Sequence, residues 1–368
     1  MGFSCGIVGL PNVGKSTLFN ALTRSSVPAA NYPFCTIDPN VGVVPVHDER
    51  LQKLARLVPT AQVVPAAMQF VDIAGLVKGA SQGEGLGNQF LSHIAQVEAI
   101  AHVVRGFEDD QVVHVDGSVD PQRDIEVINT ELALRDLSIV ASTISRLEKQ
   151  VKSGDKKAAE ALEVIRKVAA VLDGGGQARA VARALPPEQL EIVKPLNLLT
   201  AKPVLYVANV GEADLPDGRT SAVEIVRRLA ESEGAAVIVI CAAIEAQIAS
   251  LETEQERSEY LSAVGLKEPG LRQLIRAGYG LLGLINFFTV GPKEDRAWTI
   301  HRGSTAQEAA GKIHSDIARG FIRAEVIGYD DFIGCGSEAA AREQGKLRLE
   351  GKEYIVQDGD LMHFRFSV

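Results

Sequence analysis

Gly9-Leu10-Pro11-Asn12-Val13-Gly14-Lys15-Ser16 is the stretch that decides the fold of this chain. It matches G-x-x-x-x-G-K-[ST] and lies between segments of opposite character: Phe3 to Val8 alternate into an apolar strand, and Lys15 to Leu22 continue as a helix. Glycines let the backbone close around phosphates, so that successive N–H groups and the helix N-terminus face the anion. In that arrangement Lys15 reaches the β- and γ-phosphates and the Ser16 hydroxyl ligates Mg²⁺, while Asn12, Val13, Gly14 and Thr17 complete the cradle.

Further apolar runs follow at Met68 to Ile73, Ala99 to Val104, Pro203 to Ala208 and Ala236 to Ile240, with helical patterns before and between them. Buried strands alternating with helices predict an α/β fold with a doubly wound parallel sheet. Asp72-Ile73-Ala74-Gly75 closes one of these strands in the form D-x-x-G. There Asp72 is expected to hold Mg²⁺, through a water, and the Gly75 amide to sense the γ-phosphate. Thr36, in the proline-bounded loop around Pro33-Phe34-Cys35, is either the second hydroxyl on Mg²⁺ or a residue that caps its own loop. The glycine-rich run Gly79 to Gly87 predicts a second switch segment.

The alternation is interrupted in the middle of the chain. Leu137, Val140, Ile144, Leu147 and Val151 step by three and four, Ser153-Gly154-Asp155 breaks the pattern, and Leu162, Ile165, Val168 and Leu172 begin a second helix. This predicts an antiparallel helical hairpin inserted over 123–199, between the two halves (1–122 and 200–280) of a nucleotide-binding domain. Beyond it, β-rich runs at Phe287 to Val290, Ala297 to His301, Lys346 to Leu349, Tyr354 to Val356 and Leu361 to Phe366 surround one helix, Thr305 to Ile313, capped by Ser304 or Thr305. They predict an α+β end domain over 281–368, a small β-grasp-like sheet.

Composition narrows the classes. The chain has 368 residues, 46% of them hydrophobic and 23% charged, and a formal net charge of −9. That is ordinary for a globular protein and does not advertise nucleic acid as a general partner, although a local basic patch stays open. Cys5, Cys35, Cys241 and Cys335 form no C-x-x-C pair, which argues against a zinc site and for reduced thiols. With no leader pattern and no apolar stretch of spanning length, the expectation is a cytoplasmic protein that engages neither membrane nor DNA.

The base side departs from a GTPase. Where N-K-x-D would stand, the chain reads Asn209-Val210-Gly211-Glu212. A Glu is one methylene longer than the Asp that accepts two hydrogen bonds from guanine, and Val210 removes the lysine stem that packs on the base. Asn209 keeps an amide able to pair with adenine N7 and N6. Mismatched buried polar groups cost about 1–3 kcal/mol each, enough to invert a nucleotide preference. Cys241-Ala242-Ala243-Ile244-Glu245 is similar to the S-A-x-x-E loop that covers the base, which places Ala242 at the nucleotide.

On the Asn12-bearing loop, Asp72 to Leu76, Asn209 to Glu212, the helical insertion and an end domain like a TGS domain, the chain resembles the YchF-type Obg-like ATPases, within the translation-factor class of P-loop GTPases. The resemblance implies ATP hydrolysis in preference to GTP and association with the ribosome, at the large subunit or the whole particle including its rRNA. Leu76 replaces the water-orienting Gln of Ras-like enzymes, so slow intrinsic turnover is expected. The resemblance gives the catalytic task, beside Lys15, to His114 in a mobile loop; a surface histidine without catalytic duty is the other reading. In related G proteins an Asn at the place of Asn12 helps hold K⁺ beside the phosphates. Arg296, Arg302, Arg319 and Arg323 are candidate rRNA contacts, or a solvated face balanced by Glu294, Asp295, Asp316 and Glu325. Three other functions stay open: a conventional GTPase with a degenerate base motif, a metabolic phosphotransferase, and a scaffold that binds nucleotide as a structural element.

Overall fold

A computed structural model of the chain describes residues 3–24, 40–73, 86–109, 111–115 and 117–367. Thr36, Gly75, Leu76 and most of the glycine-rich run expected as a second switch lie outside the described residues. The strands are β1 (Ser4–Val8), β2 (Val41–Pro45), β3 (Val63–Val64), β4 (Ala67–Asp72), β5 (Ala99–Arg105), β6 (Val204–Asn209), β7 (Ala236–Ile240), β8 (Leu284–Thr289), β9 (Asp295–His301), β10 (Phe321–Ile327), β11 (Arg348–Glu350) and β12 (Leu361–Phe366).

The first sheet has the order β2-β4-β1-β5-β6-β7, with β1 parallel to β4 and β5, and β5, β6 and β7 parallel in succession. Every residue of β1, β5 and β6 is buried, as expected for central parallel strands covered on both faces. The chain leaves β1 toward β2 and β4 on one side, then builds β5, β6 and β7 on the other. The loop that follows β1 therefore opens at the switch point of the sheet, where doubly wound folds bind ligands.

The chain divides into two compact units, one comprising 1–29, 34–42 and 69–278, the other 30–33, 43–68 and 279–368. The first unit includes the helical insertion. Its long helix, Pro121–Lys152, is capped by Asp120, whose carboxylate accepts from Arg123 N, and starts on a proline, whose missing N–H needs no partner there. Its partner, Lys156–Asp173, is capped by Asp155. Leu147, Leu162, Ile165, Val168 and Leu172 close the seam, as their spacing predicted. The return path holds more structure than its prolines and glycines suggested: two short helices, Ala178–Ala184 and Pro187–Val193, precede 3-10 turns at Lys194–Leu196 and Leu199–Ala201. Asp136 on the long helix pins this path. Completely buried, it accepts from Leu199 N at 2.9 Å, Thr200 N at 2.8 Å and Thr200 Oγ1 at 2.6 Å.

In the second unit the sheet order is β11-β10-β12-β8-β9-β3. β8 and β9 pair antiparallel, as do β10 with β12 and β10 with β11, whereas β12 lies parallel to β8. One helix, Ala306–Ile313, lies on the sheet. Thr305 and Glu308 form its capping box, and Ala306, Ala309 and Ala310 present a small-residue face to Ile285, Phe287, Val326 and Phe364. This is the α+β end domain that the sequence predicts, with two differences. Tyr354 to Val356 form no strand but a single bridge, Thr305 to Ile355. Phe321 to Ile327, which carries charges that hid its period, is a strand: Ala324 and Val326 face the core, while Glu325 accepts from Arg365 at 3.1 and 3.0 Å on the other face.

The segment 43–68 was expected within the nucleotide-binding domain, yet it groups with the C-terminal unit. The reason is polar. Asp48 caps the helix Glu49–Leu57 and accepts from Asn286 Nδ2 at 3.2 Å, Arg50 donates to Asp358 at 3.1 Å, and β3 adds to the edge of β9 in parallel. Among the described residues no helix is long and apolar enough to cross a membrane.

Two outcomes follow from the buried polar groups of the first unit. Asp136→Ala leaves three buried donors without their acceptor and is expected to lower the unfolding free energy in urea by about 3 kcal/mol. His102 on β5, 5.5 Å between ring centroids from Tyr206, is held down to about 3 by burial, then by Arg179 and Lys15. The unfolded chain takes up this proton near pH 6.5 and the folded one does not, so folding stability falls as the pH drops from 6.5 toward 3. Between pH 6.5 and 5 the loss from this group is about 2 kcal/mol, and urea titrations at both pH values should show that difference shrink by as much in His102→Gln.

Candidate functional site

The loop after β1 turns back over the sheet through Asn12, whose φ is +62°, and Gly14, whose φ is +95°. The left-handed region is accessible to asparagine at modest cost; at Gly14 geometry allows nothing larger, because a Cβ there would overlap Asn209 Nδ2. The helix Lys15–Arg24 begins directly, with Leu18 N donating to Gly14 O at 3.0 Å. Its free first-turn amides and positive end face the cradle, where Ser16 and Thr17 are exposed.

Lys15 is buried and its ammonium donates to Leu10 O at 2.9 Å. Burial lowers its pKa and Asp72 partly restores it. Asp72 is the mirror case: burial raises its carboxyl and Lys15 opposes the rise. β1 places the two elements together, since Ile7 and Asp72 are register partners. Among the described residues Asp72 Oδ1 is buried without a hydrogen-bond partner, a costly condition for a carboxylate oxygen. A hard divalent cation resolves that cost. Mg²⁺ takes one or two protein oxygens and completes its shell with phosphates and water. Asp72 and Ser16 fit that pattern.

On the base side, the structure brings Asn209, Ala242 and the cradle together in a way the sequence reading did not anticipate. The Asn209 amide, expected to read adenine, donates from Nδ2 to Val13 O at 2.9 Å and accepts at Oδ1 from Ala242 N at 2.9 Å. It braces the site, spending one of its two Nδ2 hydrogens on Val13 O. Val210, expected at the nucleotide, is instead buried with Val223, Cys241, Ile244 and Ile248, since its apolar side chain gains by leaving water. Glu212 is exposed at the start of the 3-10 turn Glu212–Asp214, and its carboxylate accepts from Gln247 Nε2 at 3.4 Å. Gln247 in turn accepts from the Tyr260 hydroxyl. Glu245, matched to the base-covering loop, turns away: it is buried and accepts from Gly270 N at 2.7 Å and Leu271 N at 3.1 Å, at the start of the helix Gly270–Leu281.

His114 is paired with Asp124. Its side chain is 4% exposed, with Nε2 2.9 Å from Asp124 Oδ2. The neighbouring Val113 reaches the cradle, its carbonyl accepting from Asn12 Nδ2 at 3.0 Å; that bond does not use Oδ1, the atom that would ligate K⁺. Two contributors escaped the sequence reading. One is Asp124. The other is Arg105, buried at the end of β5, which donates to Phe107 O at 3.1 Å and lies 4.5 Å over the Phe107 ring, fixing the start of the His114 segment. A single arginine ending an otherwise apolar strand was the available signal. Among the basic residues of the end domain, Arg296 covers the Trp298 ring at 4.9 Å, Arg319 pairs with Asp316 at 2.7 Å, and Arg323 stands 3.9 Å from Glu325. Of the four acidic residues expected to balance that face, Asp295 and Glu325 are buried.

A family model described as a 50S ribosome-binding GTPase matches residues 4–143, and a model of the C-terminal part of YchF GTPases, described as a protein of unknown function, matches residues 284–367. The chain is 58% identical over 368 residues to the ribosome-binding ATPase YchF of Haemophilus ducreyi, with 100% of each covered. The chain belongs to the YchF family. Its likeness to the Bacillus subtilis ribosome-binding ATPase YchF is 55% over 370 residues, again with 100% of each covered. The solved structure of the Schizosaccharomyces pombe YchF GTPase aligns with a TM-score of 0.88 at 38% identity, covering 99% of this chain and 98% of that one. YchF membership makes the chain a P-loop nucleotide hydrolase, and the solved relative's fold covers the helical insertion and the α+β end domain as well.

Gly14→Ala tests the brace. It is expected to lower nucleotide affinity at least about 100-fold in a fluorescent-nucleotide titration, because the new methyl displaces Asn209 and with it both Val13 and Ala242. The melting temperature should fall by only a few degrees, since the collision lies at one loop.

Proposed function

We propose that this chain is an Mg²⁺-dependent ATPase switch that prefers ATP to GTP and docks on the ribosome, at the large subunit or the whole particle with rRNA contacts, in the cytoplasm. The observation that carries the base preference is Glu212, at the position of the guanine-reading Asp and held by Gln247. The names of relatives support the substrate and partner, although they differ among themselves: the bacterial ones are called ATPases and the Schizosaccharomyces pombe one a GTPase.

In this reading the first-turn amides of the helix Lys15–Arg24 and the backbone of Asn12 to Thr17 bind the phosphates. Lys15 leaves Leu10 O for the β- and γ-phosphate oxygens. Ser16, Asp72 and Thr36 hold Mg²⁺, which when bound neutralises charge on the phosphate oxygens. Gly75 contacts the γ-phosphate, Ala242 and Glu212 meet the adenine, and His114 orients the attacking water once it leaves its buried position. A K⁺ ion beside the phosphates would be held by Asn12 Oδ1, since the bond to Val113 O uses only the Nδ2 donor. The nucleotide-binding domain is 1–122 and 200–280 without the excursion 43–68, and the insertion 123–199 and the end domain 281–368 serve as docking arms.

A side-by-side titration of ATP and GTP, followed by phosphate release, tests the proposal. ATP should bind about tenfold or more tightly, with slow release of phosphate, and Glu212→Asp should narrow the gap. Tighter binding of GTP by the unmodified protein would make it a conventional GTPase.

A further inference from the structure

The segment around His114 partitions its side chains against expectation. Val113 and Val115 are 74% and 54% exposed, whereas the histidine between them is buried. Its Nε2 meets Asp124 Oδ2 at 2.9 Å, on the first turn of the helix Pro121–Lys152. The same segment is tied on its other side to the phosphate cradle through Val113 O and Asn12 Nδ2. A polar group inside and two apolar groups outside describe a loop in which a buried polar pair takes the place of hydrophobic burial.

We propose that Asp124 is a latch: a positioning residue that holds the His114 imidazole away from the nucleotide in the resting protein, so that release of the pair limits unstimulated hydrolysis. This rests on the reading of His114 as the water-orienting group. Arg123 makes the latch reversible. Its Nη2 stands 3.4 Å from Asp124 Oδ1 and its Nη1 donates to Ser118 Oγ at 3.2 Å, so when His114 departs the carboxylate keeps a cationic partner. Turning His114 out also allows Val113 and Val115 to turn in, which offsets the exposure of the imidazole. Asn12, at φ +62° within the cradle, is the point at which phosphate binding touches the segment.

Asp124→Asn keeps the size of the side chain and removes its charge. It should raise the unstimulated kcat for ATP about tenfold with KM within about twofold. It should also speed hydrogen exchange in the peptide 111–118, and Asp124→Asn combined with His114→Ala should fall back to the rate of His114→Ala alone. A kcat that drops to the His114→Ala level overturns the latch, because Asp124 would then orient the imidazole for catalysis. An unchanged rate with unchanged exchange overturns it as well. If His114→Ala alone hydrolyses ATP like the unmodified protein, the catalytic reading of His114 fails, and the exchange result still decides whether the pair holds the segment. Exchange in the unmodified protein gives a reading independent of any variant's folding: protection of 111–118 is expected, and complete exchange at the first time point overturns the latch.

Discussion

The carboxamide of Asn209 joins the two halves of the nucleotide site, with Nδ2 on Val13 O and Oδ1 on Ala242 N. Asn209 ends β6, a strand buried at every residue, so the brace is anchored to the most rigid part of the sheet. From it follow the need for a glycine at 14, the approach of the helix Ala242–Ser250 to the cradle, and the distance at which Glu212 can present its carboxylate. A side chain that fixes the site by binding protein on both sides makes the pocket pre-organised, and pre-organisation reduces the entropy lost when a nucleotide is bound.

The root of the helical insertion is held by a second polar arrangement. Glu233, at the end of the helix Ser221–Glu233, accepts from Arg179 at 2.8 Å, from the Tyr206 hydroxyl at 2.9 Å and from Asn129 at 3.4 Å. Burial, then Glu233, raises the pKa of Tyr206, which stays protonated and donates. Together with the Asp136 clamp, these bonds explain why the insertion and the nucleotide-binding sheet form one compact unit despite being expected as separate domains. Three donors converge on this one partly buried carboxylate, so the root is tied to the sheet through several bonds at once.

In the C-terminal unit the corresponding hub is Asp48. Its carboxylate caps a helix, receives Arg50 and receives Asn286, while Asp358 accepts from both Arg50 and the Asn286 backbone. Asp48 and Asn286 lie 238 positions apart and Arg50 and Asp358 lie 308 apart, separations at which no local pattern connects them.

The sequence by itself determined the cradle, the sheet, the hairpin and the end domain. Each of these is written in a local period or in residue types that only one backbone geometry accommodates, as with Gly14, Lys15 and the three- and four-residue steps from Leu137 to Val151. The tertiary structure decided where polar side chains point. Asn209, Val210, Glu245 and His114 occupy the motif positions expected of them, yet Asn209 braces, Val210 joins the core, Glu245 caps a distant helix and His114 lies against Asp124. A motif fixes the position of a Cα along the chain, but the partner of a polar group is whatever complementary atom the fold brings within about 3 Å. For Asn209 and Val13 that atom comes from 196 residues away, beyond the reach of any sequence pattern.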